Sequence, residues 1–104
     1  MAIIGTFSKD GEGYKGELTT LRLQAKNVAI LPNERATGDQ APSHRVFFGK
    51  AEVGAGWTTT SRAGTGYLNL KLDDPTFPAP IHAALFEDTD TGKFNLVWDR
   101  PKSN

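Results

Sequence analysis

A chain of 104 residues with 38% hydrophobic content has the size of one compact domain with one modest core. Twelve cations balance twelve anions, so no overall field draws it toward nucleic acid or an anionic membrane. With no cysteine, a disulfide framework and a thiolate zinc site are both excluded.

The elements follow in chain order. Ile3 to Lys9 reads as a strand, Asp10 to Gly13 as a hairpin turn, and Tyr14 to Leu23 as the partner strand. The opening apolar run is short, broken by Gly5 and preceded by no basic leader. That predicts neither a signal peptide nor a membrane span, and makes a cytoplasmic protein the expectation. Tyr14, Leu18 and Thr20 share one phase while Leu21 and Leu23 take the other, which predicts a bulge or change of face near Thr20. Lys26 to Leu31 is a further strand. Pro32 to Ser43, polar and with two prolines and a glycine, is the one long loop and the segment expected to move most.

Arg45 to Gly49 and Ala51 to Thr60 read as strands joined tightly at Gly49-Lys50. In the second, Val53, Ala55 and Trp57 share a face expected to be dry. Gly54 and Gly56 on the other imply a bend or a close approach of neighbouring backbone. After a Ser61 to Gly66 turn, Leu68, Leu70 and Leu72 alternate with Tyr67, Asn69 and Lys71. A side-chain period of two makes this a strand with one dry and one wet face. Asp73 to Pro80 carries three prolines, which cannot donate ladder hydrogen bonds, and is predicted to be an irregular crossover. Ile81 to Glu87 and Lys93 to Arg100 form a last hairpin closed by Asp88 to Gly92. The result is an all-β single domain spanning residues 1–104, antiparallel and hairpin-connected, a small barrel or sandwich of seven to eight strands. The expected core is Phe7, Leu18, Val53, Trp57, Leu68, Leu70, Phe86, Leu96 and Trp98, although the phase of Ile81, Ala83 and Leu85 competes with Phe86.

Motifs for chemistry are sparse. Ser43 adjoins His44, but neighbours on a strand point to opposite faces, and no G-x-S-x-G elbow is present, so no catalytic residue is assigned. Asp73-Asp74 before Pro75 reads as a strand end and turn start. Asp88 to Gly92 looks superficially like a calcium loop. An EF-hand needs glycine at position six, a bidentate glutamate at twelve and flanking helices, and a hairpin turn explains the segment better. The Gly54-Ala55-Gly56 and Gly64-Thr65-Gly66 glycines precede no helix that would hold a phosphate. No metal and no cofactor is expected.

Charge is uneven along the chain. His44 to Leu72 holds four cations (Arg45, Lys50, Arg62, Lys71) against Glu52 alone. Asp73 to Asp99 holds six acids against Lys93 alone. Aromatic and basic residues interleave here, with Phe47, Phe48, Trp57 and Tyr67 among the four cations, a pattern of single-strand nucleic-acid binders built on small barrels. Two readings stand. One is a non-enzymatic interaction module, a protein-binding or self-associating domain that pairs an edge strand or docks its basic patch on its acidic one. The alternative is a single-stranded nucleic-acid-binding barrel. Both place the binding surface on Arg62, Tyr67, Asn69 and Lys71, with Arg45 and Lys50 as neighbours. Changing Tyr67 to alanine and Arg62 to glutamate is expected to leave folding nearly intact.

The runs IIGTF (Ile3 to Phe7), RVFFG (Arg45 to Gly49), EVGAGW (Glu52 to Trp57), TSRAGTGYLNLKLDDPTFPAPI (Thr60 to Ile81) and NLVWDR (Asn95 to Arg100) resemble a bacterial family known as domain of unknown function 736. The resemblance spans the chain. It implies a small cytoplasmic protein encoded on plasmids or integrative elements and accessory to conjugation or replication, with no activity, cofactor or catalytic residue. Family members often carry lysines after the tryptophan, where this chain reads Thr58-Thr59-Thr60, which weakens a nucleic-acid inference drawn from the family.

Overall fold

The structure, a computed structural model, describes residues 2–21, 23–34, 38 and 41–98. Eight strands occur in order: β1 (Ala2–Asp10), β2 (Gly13–Thr19), β3 (Gln24–Pro32), β4 (His44–Phe48), β5 (Ala51–Thr60), β6 (Gly66–Leu72), β7 (Ile81–Asp88) and β8 (Lys93–Trp98). Among the described residues there is no helix. Each strand pairs antiparallel with its chain neighbours, and β8 returns to β1, so the sheet closes into a barrel. Of the two predicted architectures, the barrel is the one formed. Closure removes the open edge that a strand-pairing dimer needs, because every strand has two partners.

Period-two alternation selects what fills the interior. Leu68, Leu70 and Leu72 point inward, joined by Phe7, Leu18, Val28, Ile30, Val46, Leu85 and Leu96, all buried. On β5 the inward phase belongs to Gly54 and Gly56, which lie opposite Leu72 and Leu70. A Cβ at Gly56 would stand 2.6 Å from Leu70 Cδ2, and one at Gly54 2.4 Å from the Lys71 carbonyl oxygen. The leucines of β6 fill the volume that β5 leaves empty. Trp57 therefore faces outward and is half-buried, contrary to the expectation of a core tryptophan. Phe86 is outward for the companion reason: Ala83 and Leu85 take the inward phase of β7. Phe7, Leu18, Leu68, Leu70 and Leu96 are buried as expected, while Val53 and Trp98 are half-buried against the core.

Bulges bend the strands into the ring. Ile4 is extra on β1 opposite β8, and Val53 is extra on β5 opposite β4. That turns Val53 toward the interior although its neighbours alternate differently. On β3 the bulge spans Lys26 and Asn27, opposite Glu17. Asn27 adopts a left-handed backbone (φ 53°), which asparagine tolerates better than most residues. The phase change predicted near Thr20 has another origin. β2 ends at Thr19, and Leu21 lies exposed in the connection. Arg35 to Thr37, Asp39 and Gln40 of the long loop, and Asp99 and Arg100 of the last predicted strand, lie outside the described residues.

Alternating direction sorts the connections between two barrel ends. The β1–β2, β3–β4, β5–β6 and β7–β8 connections leave from one end, and the β2–β3, β4–β5 and β6–β7 connections from the other.

Candidate functional site

The outer faces of β4 to β8, continued onto β1, form a map that the register makes explicit. One row runs Arg45, Ala55, Lys71, His82. The next runs Trp57, Asn69, Ala84, Val97, Ile3. The third carries Thr59 beside Tyr67, then Phe86 beside Asn95 and Thr6. Tyr67 and Phe86 join its two halves by stacking, with ring centroids 4.6 Å apart and planes 24° from parallel. Among the described residues no carboxylate stands in any of these rows. The other side of the barrel is polar, with Ser8, Lys15, Glu17, Lys26 and Asn27 around a shallow depression.

The structure brings most of the predicted binding residues together. Tyr67, Asn69 and Lys71 all point outward from β6, and Arg62 occupies the exposed turn beyond Tyr67. Arg45 joins the first row but is engaged. Its Nε and Nη2 donate to the two carboxylate oxygens of Glu52, each at 2.7 Å, and its guanidinium lies 5.1 Å from the Phe47 ring centroid. This forked contact raises the Arg45 pKa and lowers that of Glu52, chiefly through the side-chain hydrogen bond. Lys50 lies apart, at the β4–β5 turn. β5 separates that turn from Arg62 by about 30 Å at the usual rise per residue. Trp57, Phe86 and His82 belong to the face and were not among the predicted binding residues. The signal that finds the first is the small inward pair Gly54 and Gly56.

Ser43 and His44 are in contact, contrary to the argument from strand alternation. Ser43 precedes β4, so alternation does not apply to it. Its Oγ lies 2.8 Å from His44 Nδ1, 3.0 Å from Thr58 Oγ1 and 3.3 Å from the Gly56 carbonyl oxygen. The Ser43 N–H also donates to that carbonyl at 2.9 Å, and the Asn33 N–H donates to the Ser43 carbonyl at 2.9 Å. The bonds to Gly56 and Thr58 clamp the base of the long loop onto β5. Burial, and secondarily the charge of Lys9, lowers the His44 pKa.

The opposite barrel end is apolar. Leu18, Val28, Phe48, Val53, Leu72 and Phe77 line a cavity of about 210 Å³, with Phe77 supplied by the β6–β7 crossover. In that crossover Asp74 accepts hydrogen bonds from the Thr76 N–H and hydroxyl, which hold its carboxyl below its usual pKa. In the β7–β8 turn Asp88 accepts from the Asp90 and Gly92 N–H groups, with Gly92 left-handed at φ 73°. Among the described residues no group of three or more histidines or acids is placed to hold a metal ion. Among the described residues no helix is long and apolar enough to cross a membrane.

No curated protein and no solved structure matches the chain. A family model described as "Protein of unknown function (DUF736)" matches residues 3–101, nearly the whole chain, and to that family the protein belongs.

Proposed function

We propose that this barrel is a non-enzymatic binding module that recognises its partner with the outer face of β5 to β8. The supporting observation is the Tyr67–Phe86 stack set beside Trp57, Asn69 and Lys71, in rows that hold no carboxylate among the described residues. Large aromatic side chains outside a barrel whose interior is filled by leucines add nothing to the main core, and aromatic clusters of this kind typify binding surfaces. A homodimer would have to form face to face, since closure leaves no strand edge. A cytoplasmic protein accessory to plasmid or integrative-element functions remains the setting that the family resemblance implies, and a binding module suits it.

The test compares the native chain with N69D and with K26E, a larger charge change of the same sign on the polar side of the barrel. Each is used to retain partners from the native host's extract, with protein and nucleic acid in the retained fraction identified. The expected result is a partner held by the native chain and by K26E and lost with N69D. A partner held equally by all three moves the binding surface off this face.

A further inference from the structure

We propose that the partner bound on this face is a single-stranded nucleic acid, with bases on the aromatic rows and phosphates at Lys71 and Arg62. The inference rests on the reading of this face as the binding surface and names what occupies it. Three features of the arrangement carry it.

First, Tyr67 and Phe86 are stacked and half-buried, so their outer flanks can extend the stack with a flat ring. Trp57 lies diagonal to Tyr67 across the β5–β6 pair, since Trp57 is opposite Asn69 and Tyr67 opposite Thr59. Any base can stack on such rings.

Second, Asn69 is exposed in the same row as Trp57, and Asn95 lies opposite Phe86. An amide offers both a donor and an acceptor, which is what a splayed base edge presents.

Third, the cations bracket the aromatics. Arg62 stands beyond the Tyr67 row and Lys71 one row past Trp57, both exposed and in no ion pair among the described residues. Among the described residues, the carboxylates bordering the face are Glu52, held by Arg45, and Asp73, exposed two residues beyond Lys71, together with Glu17, Glu87 and Asp88 at its margins. A second copy on the same face would set cations against a surface whose rows hold cations and no described carboxylate, which like charges oppose. An anionic backbone meets no such opposition.

The experiment is a fluorescence-anisotropy titration of a labelled single-stranded DNA oligonucleotide of about 16 nucleotides at several salt concentrations. Two phosphate contacts predict a slope of about −1.4 in log affinity against log salt, or roughly 25-fold weaker binding per tenfold rise in salt. K71E should weaken binding and flatten the slope, while K26E, of equal net charge, should bind as the native chain does. Y67A should lose roughly 5- to 150-fold, the worth of one stacked base. Circular dichroism verifies that each variant is folded, and N69D provides a second probe of the face should Y67A not fold. No binding by the folded native chain overturns the proposal, as does equal weakening by K71E and K26E. An acidic peptide bound on this face in place of the oligonucleotide overturns it too, yet leaves the face as the binding surface. Loss of both places the partner elsewhere on the barrel.

Discussion

Gly16 sits where β1 and β2 close against the core, and a Cβ there would stand 2.1 Å from the Thr6 carbonyl oxygen and 2.7 Å from Phe7 Cα. Those are backbone atoms that cannot rotate away. Gly16→Ala is therefore expected to cost at least about 3 kcal/mol, the upper range of overpacking, read from chemical denaturation. Leu70 tests the same interior from the other direction. It is 2% exposed and occupies the space that Gly56 vacates. Leu70→Ala is expected to cost roughly 2–4 kcal/mol, and a loss under about 1 kcal/mol would remove that leucine from the core. His44 is a pH-dependent residue. Burial and Lys9 depress its folded-state pKa below the ordinary 6.5, so the unfolded chain binds the proton more readily. Its contribution is fully present above pH 6.5 and is lost as the pH falls below that value toward the folded-state pKa. Denaturation midpoints measured down that window should decline, and H44Q should remove the part of the decline that belongs to this residue.

At the scale of elements, the Tyr67–Phe86 pair couples β6 to β7 on the outside of the barrel. Tyr67 is half-buried and stacked rather than a freely solvated side chain, so Tyr67→Ala costs more than its wet-face position alone implies. A double-mutant cycle with F86A should give a coupling of about 0.5–1.5 kcal/mol, and additive losses would mean that the rings merely lie near each other. Arg62→Glu, in the exposed turn, should shift stability by less than about 0.5 kcal/mol. Strand positions were legible because turn residues and period-two alternation are local signals, and on β6 the alternation also placed Tyr67, Asn69 and Lys71 correctly. On β5 and β7 the middle residues of both phases are apolar or small, Val53 to Trp57 on one and Ala83 to Phe86 on the other. Which phase turns inward depends on the neighbouring strand's leucines, and that information is not local. Trp57 and Phe86 were thus assigned to the core, and of the aromatic residues on the face only Tyr67 was placed outward.

At the scale of the molecule, the interior is packed by side chains from all eight strands, and closure depends on β1 meeting β8. That pairing lies between segments far apart in sequence and leaves no local signature, so a barrel and a sandwich read alike along the chain. The two ends of the barrel differ. One carries the clamped loop base around Ser43, and the other an apolar mouth where Leu21 and Phe48 are exposed. Between them, the outer wall is aromatic on one side and polar on the other, so the molecule has a front and a back despite its near-spherical extents of 33 × 31 × 30 Å.

Ala2 lies directly across from Trp98 in the β1–β8 register. Antiparallel Cα partners are only about 4.5–5.5 Å apart, so the wall of the barrel has no seam where the chain enters or leaves it. To the folded ring, then, the starting strand is arbitrary. A circular permutant that joins Trp98 to Ala2 through a short glycine-rich linker and opens at Gly38, in the β3–β4 loop, should recover the native far-ultraviolet spectrum and a cooperative melt. It should also keep the aromatic face intact, because no strand of that face is cut. Failure to fold with an ample linker would mean that β1 and β8 must be held apart in sequence until the other strands are in place, making the order of assembly part of what specifies the barrel.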